Sequence, residues 1–386
     1  MPKRDAPTGN RAERGPAKGR LNMASEWRTE AFRRLGCDGL FPLQKKSMHR
    51  SLAPYLPRPP SARRGRIEVV HGSARLLLQE GGLFCCPLRF AVCGEEEKTM
   101  KISEILNQGK ITVSCEVFPP KKDADIEPVR RAVAEIVAMK PAFLSVTYGA
   151  GGVTSRHTVR IASDIQRMGV TALAHLTCVS STKQEIETRL RELRAGGIEN
   201  VLALRGDIPQ GQEFPLPQQY HYAGELVSEV RGFGGFCIGA ACYPDGHVEC
   251  EHKEDDIDYL RRKVDCGCDF LTTQMFFDND VFYNFMYRVL AKGIHVPVVA
   301  GIMPVTSSRM IKRACALSGM MLPSALKAIV DKFGDSPAAM KQAGIAYATE
   351  QIVGLVSNGV TAIHIYTMNK PDVAGKIMQN LSDIIG

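Results

Sequence analysis

Glu116 interrupts an apolar run, Ser-Cys-Glu-Val-Phe, and two prolines follow it. A carboxylate hemmed in by Cys115, Val117 and Phe118 loses hydration, which raises its pKa. A carboxylic acid still protonated near neutral pH can donate a proton to a reacting group. The bland alternative is a buried Glu paired with Arg or Lys for structure. Arg205, Gly206 and Asp207 close a second run. Gly206 lets backbone approach a ligand closely, and its neighbours carry opposite charges, as an ordinary loop ion pair also would. His175 and Gln274 occupy similar places. Taken singly, the first reads as a core histidine and the second as a strand cap.

Eight β-branched runs carry these residues. ITVSCEVF holds Glu116, AFLSVTY ends at Thr147 and Tyr148, TALAHLTC holds His175, and NVLALRGD ends at Asp207. FCIGAACY ends at Tyr243, FLTTQMFF holds Gln274, VPVVAGIMP turns at Gly301, and TAIHIYTM carries Tyr366. Amphipathic stretches of helical length separate them, near 125–139, 156–168, 182–195, 221–232, 254–267, 279–292 and 307–318. Two more lie between 322 and 357, and a last one starts near 371. Eight strand–helix units within about 280 residues predict a (β/α)8 TIM barrel, an α/β fold whose chemistry gathers at the carboxyl ends of the strands. The competing architecture is a doubly wound open sheet. One that bound a dinucleotide would show G-x-G-x-x-G after an early strand, and neither GAGG (149–152) nor GFGG (232–235) has that spacing.

The charge is unevenly placed. Residues 1–99 hold 19 Lys and Arg against 10 Asp and Glu, whereas residues 100–386 hold 30 against 31, so the net +8 belongs to the head. The barrel region therefore offers no electrostatic case for nucleic acid. The head shows no sustained periodicity, and PYLPRPPSARRGR breaks it. It reads as a low-order basic extension over 1–99, ahead of a barrel over 100–386. No run of about 20 uncharged apolar residues occurs, so no membrane span is expected. The 12 cysteines include no C-x-x-C pair. Cys85, Cys86 and Cys93 have no matching His/Cys pair at zinc spacing, and His247, Cys250 and His252 are only three candidate ligands in a loop, so no metal is expected. Many cysteines with no secretory signal point to a reducing cytoplasm.

The motifs occur in one order: CEVFPPK (115–121), SVTYGAGG (145–152), AHLTC (174–178), ALRGD (203–207), YAGELV (222–227), YP-x-x-H (243–247), TTQMFFD (272–278), GIMPV (301–305) and HIYTMNKP (364–371). The set resembles the methylenetetrahydrofolate reductases, across essentially all of residues 100–386. That resemblance implies a (β/α)8 barrel with non-covalent FAD. The flavin takes a hydride from NADH or NADPH and passes it to 5,10-methylenetetrahydrofolate, giving 5-methyltetrahydrofolate by ping-pong kinetics. It implies Glu116 as the acid that opens the folate's five-membered ring to an iminium ion. Asp207 lies beside the flavin and the folate, and Gln274 orients the pterin. Thr147, Tyr148, His175, Arg205, Gly206, Tyr222, Ala223, Tyr243, His247, Asp256 and Lys263 match FAD-holding positions. An assembly of identical subunits is also implied, and a ferredoxin-type protein donor stays open beside NAD(P)H. Three positions depart from the pattern. Ser308 stands where relatives often carry an aromatic residue, Lys370 where they often carry Arg, and Tyr259 replaces an amide on the FAD side. A lysine can attract the folate tail's carboxylates but lacks the planar two-point contact of an arginine. A flavin-free pterin barrel transferring one-carbon units, and a basic-tailed binding protein, are the other readings.

Overall fold

In the computed structural model, the described residues are 100–386 apart from 121, 123–124, 149–151, 180, 209–213, 319 and 386. The expectation of a low-order extension over 1–99 lies outside them. Eight parallel strands close into a barrel in chain order: β1 (Thr112–Val117), β2 (Leu144–Val146), β3 (Ala172–Thr177), β4 (Asn200–Leu204), β5 (Cys237–Cys242), β6 (Phe270–Thr273), β7 (Val298–Ile302) and β8 (Ala362–Tyr366). The last strand returns to the first, with Glu116 opposite Tyr366. The expected TIM barrel is what forms, and closure leaves no strand edge unpaired.

Alternation along the strands divides the apolar residues into two sets. Val113, Cys115, Leu144, Ala174, Val201 and Ile363 belong to the large core shared with the surrounding helices. Phe143, Leu173, Leu202, Phe270, Val299 and Ala362 form a separate layer inside the barrel's amino-terminal end. Helix α1 (Ile102–Leu106) closes that end by adding Ile102 and Leu106 to the inner layer. Buried Asn200 fixes it: its Oδ1 accepts from the Ile102 N–H at 2.9 Å while its Nδ2 donates to the Ala172 carbonyl at 3.3 Å. The barrel is thus plugged below and open above.

The outer layer follows the amphipathic stretches: α2 (Ile126–Val137), α3 (Gly152–Arg167), α4 (Lys183–Ala195), α5 (Ala223–Phe233), α6 (Lys253–Asp265) and α7 (Asn279–Ala291). Thr182 and Glu185 make a reciprocal capping box at the start of α4. Between β7 and β8 the chain inserts α8 (Ser308–Ser318), α9 (Ser324–Phe333) and α10 (Pro337–Ser357), and α11 (Pro371–Asn380) and α12 (Ser382–Ile385) end the described chain. The inserted helices enclose a satellite core of Phe277, Met303, Val305, Ile311, Leu326 and Met340. From α10, Tyr347 Oη donates to the Phe277 carbonyl at 2.6 Å and Gln351 Nε2 to the Phe276 carbonyl at 3.0 Å. These bonds tie the loop after β6 to a long helix. Among the described residues, no helix is long and apolar enough to cross a membrane.

Gly344 is the tightest junction in this region, since a Cβ there would lie 1.9 Å from the Val305 carbonyl oxygen. Backbone on both sides cannot yield cheaply, so Gly344→Ala should lower stability by about 1–3 kcal/mol, the cost of overpacking. Gly232 in α5 has nothing within 4 Å of an added Cβ. Gly232→Ala should be neutral, or stabilising by up to about 1 kcal/mol. Urea denaturation of both variants measures the contrast, and equal effects would refute the close-packing argument.

Candidate active site

Glu116 points into the open end of the barrel and is only 6 % exposed. Burial lifts its carboxyl pKa to about 8. Facing it, His175 is equally buried, and burial pulls its imidazole down to about 3. His175 Nε2 lies 3.6 Å from Glu116 Oε2, a separation an ion pair can have. Both desolvation effects favour the uncharged forms, and 3.6 Å is long for a hydrogen bond. The pair is therefore a neutral acid beside a neutral imidazole. This matches what the apolar setting of Glu116 predicts.

The floor beneath them is polar but closed. His364 stacks on Phe143 with ring centroids 5.8 Å apart, and its Nδ1 lies 2.7 Å from Ser114 Oγ. Ser114 Oγ donates to the Ile363 carbonyl at 3.0 Å, so it accepts from His364 Nδ1–H. His364 Nε2 is then the acceptor for Ser145 Oγ at 3.2 Å. This neutral tautomer agrees with burial holding the ring's pKa near 3. Tyr366, half-buried near Glu116, Cys242 and Tyr243, has its phenol raised well above the ordinary value, chiefly by desolvation. Its hydroxyl crosses β7 to donate to the Thr273 carbonyl at 2.6 Å. That crossing requires Gly301, where a Cβ would come within 2.6 Å of the Tyr366 hydroxyl.

On the β4–β5 side the mouth is charged. Gly206 has φ +88, and a Cβ there would meet Val179 Cγ1 at 2.7 Å, so only glycine brings backbone this close. Arg205 makes two parallel bonds to Glu249, Nη1 to Oε2 at 2.6 Å and Nη2 to Oε1 at 2.7 Å. Lys263 reaches from α6 to donate to the Ala241 carbonyl at 2.6 Å, and desolvation lowers its pKa. Tyr243 and His247 meet edge to face at 4.7 Å, and the His247 N–H donates to Asp256 Oδ2 at 3.2 Å. Tyr222 is exposed and caps α5 without any side-chain hydrogen bond, with Ala223 as the first helical residue.

The remaining residues named from sequence lie around the rim. Asp207 is exposed just past β4. Gln274, also exposed, follows β6, and its Oε1 accepts from the Met275 N–H at 3.0 Å. The Thr147 N–H bonds the Val117 carbonyl at 3.0 Å, and Tyr148 Oη lies 3.3 Å from Ser181 Oγ. Ser308 opens α8 with its hydroxyl turned to the Gly334 carbonyl at 3.0 Å, a packing role that sequence does not show. Lys370 Nζ lies 2.9 Å from Thr306 Oγ1. Tyr259 is exposed, with the Arg262 guanidinium 5.5 Å from its ring centre. Sequence reasoning assigned no role to His364, Glu249, Thr367 or Asn369. His364 alone had a signal, its inward parity two residues before Tyr366. Among the described residues no three His, Cys, Asp or Glu side chains are grouped to hold a metal.

An eight-stranded α/β barrel with a shielded acid in its open end defines a TIM-barrel class whose chemistry sits at the carboxyl ends of its strands. The family model for methylenetetrahydrofolate reductase matches residues 101–382. The chain is 35 % identical over 295 residues to methylenetetrahydrofolate reductase (NADH) 1 of Arabidopsis thaliana, covering 73 % of this chain and 50 % of that protein. It is 33 % identical over 275 residues to 5,10-methylenetetrahydrofolate reductase of Escherichia coli K12, covering 71 % and 92 %. The chain belongs to the methylenetetrahydrofolate reductase family. It spans about half the length of the plant relatives. In fold it is similar to an uncharacterized protein from Clostridium thermocellum that binds two copies of 5-methyl-5,6,7,8-tetrahydrofolic acid. The TM-score is 0.50 at 14 % identity, over 74 % of this chain and 98 % of that one.

The Glu116 carboxyl has a testable pH signature. It titrates near pH 4.5 in the unfolded chain and near 8 in the barrel, so the folded state holds an extra proton between those values. Stability is fully present below that window and falls as pH rises through it, by at most about 1.4 kcal/mol per unit. The buried histidines act in the opposite sense, losing stability as pH falls below 6.5. Comparing urea midpoints of the parent with Glu116→Gln between about pH 5 and 8 isolates the carboxyl. The variant should gain relative stability toward pH 8. Parallel profiles would show that the carboxyl is not held neutral.

Proposed function

We propose that this chain reduces 5,10-methylenetetrahydrofolate to 5-methyltetrahydrofolate, using electrons from a reduced nicotinamide that reach the folate through non-covalently bound FAD. The observation that carries the reading is the neutral Glu116 carboxyl in the barrel mouth, inside a chain of this family. Opening the folate's five-membered ring needs a proton on the departing nitrogen, and a shielded acid supplies it by general acid catalysis. Transfer leaves the Glu116 carboxylate facing neutral His175, with product release and solvent to restore the proton. Asp207 and Gln274 stand at the rim where the pterin would be oriented, and Lys370 would attract the folate tail's carboxylates.

The donor set fits a flavin dinucleotide. The start of α5 at Tyr222 and Ala223 lacks a side-chain cap and leaves backbone N–H groups for a diphosphate. Lys263 and Arg205 add cationic donors, Gly206 admits a close approach of backbone, and Thr147, Tyr148, His175, Tyr243, His247 and Asp256 would complete the wall. Bound there, the flavin supplies reversible hydride transfer, which no side chain can perform. The two substrates would then alternate in one mouth, giving ping-pong kinetics. The plant relatives are named for NADH, which makes it the first donor to test. Residues 100–386 are proposed as the catalytic unit, with 1–99 outside it.

Half-reactions test this reading. Glu116→Gln should bind FAD and still accept electrons from reduced nicotinamide, while folate reduction falls by about 10²–10⁴-fold, the usual worth of a general acid. Stopped-flow absorbance of the flavin follows each step, and folate reduction at the parent rate would remove Glu116 from its role. Arg205 is also shared: both Nη groups are engaged by Glu249, so an anionic ligand must compete for them. Glu249→Gln should tighten FAD binding by up to about fivefold at low salt, since an exposed pair is worth about 1 kcal/mol or less. Flavin fluorescence quenching reads the affinity. Weaker binding would mean that Glu249 aligns Arg205 rather than opposing the ligand.

A further inference from the structure

The ladder between β1 and β8 ends at the pair Glu116 and Tyr366. Beyond it β1 runs into Phe118, Pro119 and Pro120, and the prolines have no N–H with which to continue a ladder. The chain after β8 turns back instead. Met368 and Asn369 take left-handed backbone angles, φ +54 and +55. The turn aims the Asn369 side chain at Phe118. Its Oδ1 accepts from the Phe118 N–H at 2.8 Å, and its Nδ2 donates to the Phe118 carbonyl at 2.9 Å. One carboxamide thus makes the two-point contact a neighbouring strand would make. One residue before the turn, buried Thr367 donates through Oγ1 to the Glu116 carbonyl at 2.6 Å. From the other side, the Thr147 N–H holds the Val117 carbonyl at 3.0 Å.

We propose that Asn369, seconded by Thr367, is the positioning residue that sets where the Glu116 carboxyl stands in the barrel mouth. The proposal rests on the reading of Glu116 as the proton donor. Three residues in a row, 116 to 118, are gripped through their backbone, and the strand end cannot slide or swing toward solvent. A general acid works only within hydrogen-bond reach of the atom it protonates, and a misplacement of about 1 Å can cost about 10²-fold in rate. Left-handed φ at a side chain other than glycine is uncommon and persists where the surroundings hold it. Here it places a carboxamide that Asn can carry in that conformation and that Gly, equally at ease there, lacks.

Asn369→Gly therefore removes the clamp without straining the turn. In the FAD-loaded full chain, reoxidation of reduced flavin by methylenetetrahydrofolate should slow about 10²-fold with the folate KM changed less. The Glu116 limb of its pH profile should move toward acid as water reaches the carboxyl. Flavin reduction by nicotinamide should stay near the parent rate. In the protein without substrate, the Phe118 amide should exchange with deuterium faster while amides of β4 keep their protection. Asn369→Asp keeps the acceptor for the Phe118 N–H and should recover part of the rate, and it decides the case if the glycine variant does not fold. Folate reduction and pH profile unchanged from the parent, or equal loss in both half-reactions, would overturn the proposal. If Glu116→Gln itself reduces folate normally, the acid assignment fails; if only the Asn369 variants behave as the parent, the clamp alone fails.

Discussion

Desolvation of one carboxyl group is the constraint around which this barrel is organised. Glu116 keeps its proton because burial strips the hydration a carboxylate needs, and the nearest ionisable partner, His175, is denied charge by the same burial. A salt bridge at that position would be the more familiar arrangement, but it would set two charges in a dry site. It would also remove the proton on which the proposed reaction draws. The closed sheet makes the neutral alternative possible. With no edge to satisfy, the strands turn every second side chain inward, and an aromatic and aliphatic plug seals the lower end.

Above that plug the mouth has two unlike halves. Strands β1, β2, β3 and β8 supply neutral groups: the acid, two uncharged imidazoles, serine hydroxyls and a phenol whose hydrogen bond is already made. Strands β4 and β5, with α6, supply Arg205, Glu249, Lys263, His247 and Asp256. Charges of both signs collect on that side, and the shift at Glu116 comes from burial rather than from any of them. An anionic ligand suits the charged half and an uncharged ring system the neutral half. A flavin dinucleotide beside a pterin has that division of charge. Asp207 and Glu116 illustrate the split. The carboxyl past β4 is exposed to solvent while the one on β1 is buried and has its pKa raised, so similar groups sit in opposite environments at one end of the barrel.

Most of the fold was legible because the strand runs and helical stretches repeat at the barrel's period, and each helix between β1 and β8 overlaps a stretch read as amphipathic. The strand limits moved in the expected manner: FLTTQMFF pairs only through Phe270–Thr273, and the rest leaves the sheet as a loop pinned by Tyr347 and Gln351. The shielded carboxyl was legible too, because a charged residue among Cys, Val and Phe is locally inconsistent, and its burial raises the pKa as that setting implies. Contacts across long sequence separations were not. Nothing in ALRGD reveals that Arg205 meets a glutamate 44 residues away. Nothing in VTSSR reveals that the Ser308 hydroxyl is committed to Gly334. Gly301 and Gly344 look like any glycine until the Tyr366 ring and the Val305 carbonyl are placed against them.

Asn369 and Thr367 mark the limit of that reading most clearly, since TMNKP reads only as the exit from the last strand toward a helix. In space it is also the end of a sheet. A parallel barrel has to stop its hydrogen-bond ladder at the rim where a ligand enters, and the residues there have lost a neighbour on one side. Prolines after β1 settle the loss by removing donors, and side chains just past β8 settle it by replacing backbone. The same local shortage explains why the acid sits two residues before the clamp rather than at the outermost position. At the rim itself a carboxyl would be wet, like Asp207, whereas one alternation deeper it is shielded from solvent while the segment above it is still held fast.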